Sequence, residues 1–254
     1  MAFDDDQLTE DRFLDGQLSV VQPRDGYRAG VDPVFLAAAV SARAGQTVLE
    51  LGCGVGVASM CLARRVAGLH LTGVEVQANY AELAERNAAK NKIAMEICCA
   101  NLTELPDDIR QRRFDHVIAN PPYFQRAKGS AAADAGRDHA LAGDTPLSDW
   151  VAVAARRLAP RGTLTMIQRA DRLHHVLTAI DDRLGSILVQ PLAPRVGRDA
   201  ELVIVQAIKG GRGAFRLAAP IVLHEGERHL VDGESYTPDI RAVLRQGAAL
   251  PLAR

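Results

Sequence analysis

The chain has 254 residues, 48% of them hydrophobic, which is enough for one large α/β domain with its own core. Thirty basic residues against 31 acidic ones leave a formal net charge of −1, so whole-chain charge gives no argument for a polyanionic partner, and any such argument must be local. The four cysteines, Cys53, Cys61, Cys98 and Cys99, form no C-x-x-C pair and have no histidine cluster at metal spacing, which reads as reduced, mostly buried thiols in a cytoplasmic protein without a metal.

Residues 1–20 are polar and acidic, and are expected to be partly disordered until "LSVVQP" offers a short strand. The acidic start lacks the basic-then-apolar pattern of a signal peptide, and no apolar run approaches the roughly 18 residues a membrane span needs. The remainder, 21–254, reads as one domain, with 22–45 preceding its first sheet strand and 218–254 as a C-terminal extension. In "DPVFLAAAVSAR", Asp32 is placed as an N-cap with Pro33 in the first helical position. Strand-like runs follow at 47–51, 70–75, 94–100, 115–120, 162–168, 186–192 and 201–209. Helical patterns separate the earlier runs and also follow the fifth: "VASMCLARRV", "QANYAELAERNAAKN", "LSDWVAVAARRL" and "ADRLHHVLTAIDDRL", the third ended by Pro160-Arg161-Gly162. Near-continuous apolar strands alternating with helices imply a parallel sheet covered on both faces. The last two strands have only "APRVGRDA" between them, too short for a crossover helix, so they should form an antiparallel hairpin. Beyond them, "IVLHEGERHLVDGESYTPDIRAVLRQ" reads as a strand, a turn and a closing helix.

"VLELGCGVGVAS" places Gly52, Gly54 and Gly56 between the first strand and the first crossover helix, where a chain without Cβ atoms can turn sharply and approach a ligand. Glu50 precedes the first glycine, an awkward position beside a pyrophosphate but a suitable one beside a positively charged amino group and sulfonium. Glu75 ends the second strand, where a carboxylate can accept both hydroxyls of a ribose. A helix cap is the plainer reading of Glu75. The strand and glycine pattern resembles that of the Class I methyltransferases: a Rossmann-like α/β fold with a seven-stranded, mostly parallel sheet, a C-terminal antiparallel hairpin and helices on both faces. The resemblance implies S-adenosylmethionine as cofactor and S-adenosylhomocysteine as product, held by Glu50, Gly52, Cys53, Gly54, Gly56, Glu75, Val76, Asn101, Leu102 and Asn120. Asn101 stands where that family commonly has an aspartate for the adenine amino group.

The fourth strand ends in Asn120-Pro121-Pro122-Tyr123. Taken alone, the tetrapeptide is also a rigid turn. Two prolines fix φ and remove two N–H donors, leaving carbonyls as rigid outward acceptors. With the Asn120 side-chain oxygen and the Pro121 carbonyl on its two N–H bonds, and Tyr123 stacked on its plane, an NH2 group on an sp2 carbon would be held for methyl transfer. Beside the glycine loop, the motif resembles the amino-methyltransferases that act on adenine N6 in nucleic acids or on glutamine N5 in release factors.

"QPRDGYRAGVDPVFLAA" and "GRDHALAGDTPLSDW" resemble segments of the bacterial tRNA1(Val) adenine-37 N6-methyltransferase family. That resemblance implies that Gln22, Tyr27, Arg28 and Asp32 line the closing side of the cofactor pocket and that tRNA is the substrate. Phe124, Arg126, Lys128 and Arg137 lie in a long loop after the motif and are candidates to bind RNA, with Arg195, Arg198, Lys209, Arg212 and Arg216 around the final hairpin as a second basic group. Four rivals stand beside this reading: a glutamine-N5 protein methyltransferase, a ribosomal RNA amino-methyltransferase, an RNA-binding module with a vestigial pocket, and an NAD-dependent dehydrogenase, which Glu50 and the G-x-G-x-G spacing disfavour. The sequence is silent on oligomeric state.

Overall fold

The computed structural model describes residues 3–123, 145–226 and 235–252. The chain begins with β1 (Leu8–Phe13) and β2 (Leu18–Pro23), an antiparallel hairpin, and continues through α1 (Asp32–Ala39) into β3 (Thr47–Leu51). Then follow α2 (Val57–Arg65), β4 (His70–Glu75), α3 (Ala78–Lys90), β5 (Met95–Cys99), α4 (Asp107–Gln111) and β6 (Phe114–Ala119). The second half comprises α5 (Leu147–Arg157), β7 (Leu158–Arg169), α6 (Leu173–Ala179), β8 (Leu184–Ala193) and β9 (Leu202–Lys209). Two short edge strands, β10 (Arg216–Leu217) and β11 (Ile221–Val222), and α7 (Pro238–Gln246) complete the described chain.

The main sheet runs β10-β8-β9-β7-β6-β3-β4-β5, with β11 also on β8. Five strands are mutually parallel from β5 to β7, and β9 runs antiparallel between β7 and β8. All seven strands read from the sequence at 47–209 are present; β11 falls where the C-terminal segment was read as a strand, and β10 is added to them. Strand order reverses between β3 and β6, so a crevice opens at their carboxyl ends. One core lies under α1, α2 and the N-terminal hairpin, the other under α4, α5 and α6. Among the described residues, no helix is long and apolar enough to cross a membrane.

Three expectations need correction. Residues 8–13 are not loose chain. Only Leu8 of that strand is buried, yet the segment pairs along its whole length with β2, whose Leu18, Val20 and Val21 sit in the core. Asp32 is the first residue of α1, not a side-chain cap; its carboxylate accepts a hydrogen bond from the Tyr123 hydroxyl instead. The Pro160-Arg161-Gly162 segment lies inside β7, where it forms an irregularity in the pairing with β6, and Arg161 takes a left-handed φ of 67°. α5 still stops at Arg157.

The hairpin has no strand of the main sheet beside it. Asn87 and Asn91 of α3 supply the partner instead. The Val21 N–H donates to Asn87 Oδ1 at 2.8 Å, and Asn87 Nδ2 donates to the Val21 carbonyl at 3.0 Å. Asn91 repeats the pattern on Ser19, at 3.0 and 2.8 Å. Four residues of helix rise about 6 Å and two residues of strand about 6.6 Å, so amides at i and i+4 match successive same-facing strand residues.

Asn87 is fully buried. Asn87→Leu is expected to leave the Val21 N–H and carbonyl unpaired and to cost about 2–4 kcal/mol in urea unfolding, with faster proteolysis between Pro23 and Val31. Unchanged stability would contradict the role given to these amides.

Candidate functional site

β3, β4 and β6 bring three motifs to one edge. In register, Leu51 lies opposite Val74 on one side and Ala119 on the other, so Gly52, Glu75 and Asn120 follow in a row at the strand ends. Gly52, Gly54 and Gly56 all adopt positive φ, at 62°, 53° and 87°, a conformation that residues with a side chain rarely adopt. At Gly52 a Cβ would lie 2.4 Å from the Trp150 indole, and at Gly54 3.6 Å from the Tyr27 ring. Trp150 therefore presses on the loop at Gly52, which is required by space as well as by backbone angle, while Tyr27 lies at ordinary contact distance from Gly54. Cys53, fully enclosed, tucks its thiol under the loop against Gly73, and its N–H donates to the Val74 carbonyl at 2.9 Å.

The two acids have different surroundings. Glu75 takes the Gly54 N–H on one carboxylate oxygen and the Gln77 N–H on the other, each at 2.9 Å. Those bonds hold the loop to the end of β4 and leave lone pairs on both oxygens. Burial raises its pKa, and the backbone donors oppose that rise. Glu50 is buried at the start of the loop, where Ser59 donates through its N–H at 3.0 Å and its hydroxyl at 2.5 Å. Burial pushes Glu50 up to about 7, the Ser59 bonds opposing it and the Glu75 charge adding to it. A carboxylate desolvated in this way gains most from a cationic ligand.

A cavity of about 200 Å³ opens beside the loop, lined by Gly52, Val74, Glu75, Val76, Ala100, Asn101, Leu102, Thr145 and Trp150. Its apolar walls, backbone floor and single carboxylate suit a nucleoside. Asn101 reaches this wall, but its Oδ1 caps the following 3-10 turn by accepting from the Thr103 N–H and hydroxyl at 3.0 and 2.9 Å. Trp150 was not singled out from the sequence, where it reads as one more apolar position on an amphipathic helix.

Around Asn120 the other predicted residues gather. Asn120 Nδ2 donates to the Tyr27 hydroxyl at 3.4 Å. Tyr27 is 53% exposed, yet its phenol is held well above the usual range by desolvation and by the Asp32 and Glu50 charges. Tyr123 is raised for the same reasons, desolvation first and then Asp32. Pro121 is buried and Pro122 exposed. Gln22 and Arg28 stand behind Tyr27: Gln22 Oε1 accepts the Ala29 N–H at 2.8 Å, while Arg28 bonds the Thr9 hydroxyl, the Pro23 carbonyl and the Asp11 carboxylate, each at 2.6 Å. Phe124, Arg126, Lys128 and Arg137 lie outside the described residues.

The expected basic group at the final hairpin divides. Arg195 is buried and donates inward to the Glu225 and Gly226 carbonyls and to Ser235 Oγ. Lys209 ends β9 at the far edge of the sheet from the crevice and donates to the Leu158 carbonyl at 2.7 Å, with Arg212 and Arg216 following it. The cause is β9's antiparallel direction.

A family model for the methyltransferase small domain matches residues 30–188. The chain belongs to that family. It is an S-adenosylmethionine-dependent methyltransferase of Class I fold. Two relatives carry the same description, tRNA1(Val) (adenine(37)-N6)-methyltransferase. The Shewanella baltica protein is 33% identical over 189 residues, 70% of this chain and 76% of that protein. The Porphyromonas gingivalis protein is 31% identical over 175 residues, 65% and 68% of the two chains. Among solved structures, a predicted O-methyltransferase of Agrobacterium tumefaciens matches with a TM-score of 0.69 and 28% identity, covering 86% of this methyltransferase and 98% of that chain. A T. thermophilus 16S rRNA N2 methyltransferase, solved with AdoMet and guanosine, shares the fold at a TM-score of 0.53 and 22% identity, over 80% of this chain and 50% of that one.

The raised pKa of Glu50 has a stability consequence for the ligand-free methyltransferase. Below pH 4.5 the carboxyl is neutral whether folded or not; from there to about 7 the unfolded chain ionises while the fold retains the proton, so stability falls as pH rises and then levels. Glu50→Gln is expected to raise the Tm at pH 8 by several degrees while changing it little at pH 4.5; a Tm shift of equal size at both pH values would contradict this.

Proposed function

We propose that this methyltransferase moves the methyl group of S-adenosylmethionine to N6 of an adenine in tRNA, as the names of its relatives describe for adenine 37 of tRNA1(Val), and that it does so in the cytoplasm. The observation that carries the reading is the meeting of Asn120, Pro121 and Tyr123 with the glycine loop at adjacent strand ends.

Bound S-adenosylmethionine supplies the electrophilic methyl. Glu75 would hold the ribose hydroxyls, Val76, Leu102 and Asn101 would line the adenine side of the cavity, and Gly52, Cys53, Gly54 and Gly56 would give a backbone floor without side-chain obstruction. Glu50 would compensate the cationic part of the cofactor. Tyr27, set beside Gly54 on the segment that Gln22 and Arg28 brace, would close over it, and Asp32 would act through Tyr123.

The target amine is held by two acceptors. Asn120 spends its Nδ2 on the Tyr27 hydroxyl, which turns Oδ1 toward the amine. The Pro121 carbonyl takes the second N–H. Together they favour the pyramidal nitrogen over the delocalised one, an interaction that strengthens toward the transition state. Tyr123 lends its ring as a stacking surface, held by its hydroxyl on Asp32. Neither tyrosine acts as a base, since both phenols stay protonated at neutral pH. The amine becomes acidic as the methyl arrives, and water removes its proton.

Labelled S-adenosylmethionine incubated with tRNA, rRNA or release factor should place label in tRNA. Label only in protein overturns the nucleic-acid reading, and label only in rRNA overturns tRNA. Asn120→Ala is expected to lower kcat about 10²–10³-fold while S-adenosylhomocysteine affinity stays within about threefold.

A further inference from the structure

The Asn-Pro-Pro-Tyr turn cannot hold itself. Its two prolines contribute no N–H, so its carbonyls must be fixed by donors from elsewhere. β6 ends at Ala119, opposite Met166 of β7, and β7 continues through Ile167, Gln168 and Arg169, where among the described residues β9 alone pairs with it. Along that stretch the turn takes the place of a strand, and side chains reach across to it.

Gln168 is fully buried, and both ends of its amide are engaged. Oε1 accepts the Arg169 N–H at 2.9 Å, which leaves Nε2 one direction, toward the Pro121 carbonyl at 3.4 Å. Arg172, four residues on, donates from Nη1 to the Tyr123 carbonyl at 3.1 Å. The 3-10 turn carrying it is tied to β9's approach by the Ala170 N–H on the Glu201 carbonyl at 2.8 Å.

We propose that Gln168 and Arg172 are positioning residues that set the carbonyls of Pro121 and Tyr123 for methyl transfer to the amine. This rests on the role given above to the Pro121 carbonyl. A carbonyl oxygen has two lone pairs; with one on Gln168, the other is fixed in direction for the target amine. Arg172 holds the chain at Tyr123 and with it the plane of the ring. Both side chains act through the turn, Gln168 on the Pro121 carbonyl and Arg172 on the Tyr123 carbonyl. Their effect is therefore on turnover, because the misaligned acceptor weakens the transition state more than it weakens binding.

The test compares Gln168→Met, which keeps length and removes the donor, with Arg172→Met, Arg172→Lys and Gln168→Glu. Each methionine variant should lower kcat at least tenfold, with KM for tRNA and Kd for S-adenosylhomocysteine within twofold of wild type. Arg172→Lys should recover part of the loss. A buried glutamic acid at 168 donates when neutral and repels the carbonyl when ionised, so this variant should lose activity as pH rises through a range where wild type does not. Wild-type kcat in both methionine variants overturns the proposal, as does a loss that appears equally in cofactor affinity, or a Gln168→Glu pH profile that matches wild type. If Gln168→Met fails to fold, Arg172→Met, whose side chain is only half-buried, decides. Absence of label in tRNA with the wild-type enzyme would instead defeat the substrate reading, and the same variants would then be measured on whichever acceptor takes the label.

Discussion

The site depends on two parallel strands lying side by side with their carboxyl ends at the same edge. β3 delivers Glu50 and the glycine loop; β6 delivers Asn120. Because the strands are parallel and adjacent, a cofactor on one loop and an acceptor in the other turn must approach each other, whatever else the sheet carries. The reversal of strand order at this pair opens a crevice between the two ends. A slip of one residue in the β3–β6 register would move Asn120 away from Gly52 and turn every side chain of β6 to the opposite face.

The second constraint is that a turn made rigid by prolines is also a turn stripped of donors. It is held instead from three other parts of the chain: Tyr27 on the Asn120 amide, Asp32 of α1 on the Tyr123 hydroxyl, and Gln168 and Arg172 from β7 and the turn after it on the two carbonyls. The N-terminal hairpin thereby enters the chemistry without contributing a reacting group. Asn87 and Asn91 hold β2 to α3, Gln22 and Arg28 brace the segment beyond β2, and that segment carries Tyr27 over the glycine loop. Stability and the placing of Tyr27 beside Gly54 are linked through those amides.

The strands, the glycine loop and the proline turn were legible in the sequence because each is a local pattern: continuous apolar runs, glycine at fixed offsets, an amide before two prolines. What was missed depends on pairings between distant residues. The residues of β1 look like solvated chain because its partner is β2 and because the support of that hairpin is two asparagines on a helix, where amides at i and i+4 carry no strand signal. Gln168 sits at the end of an apolar strand and Trp150 on the buried face of a helix, so both read as fold, and only the positions of Pro121 and Gly52 give them a place at the site. Arg195 looked like an RNA contact and proves to be an internal tie, because it meets the carbonyls of Glu225 and Gly226, which lie far along the chain.

The central claim is that the group methylated is an exocyclic amine held by Asn120 and Pro121. It is tested most directly with a tRNA whose target adenosine is replaced by purine riboside, which keeps the ring and lacks the amino group. The account predicts that this RNA binds with nearly the affinity of the natural one and takes no label from S-adenosylmethionine. Label incorporated into the purine-substituted RNA at a rate comparable to the natural substrate would contradict it.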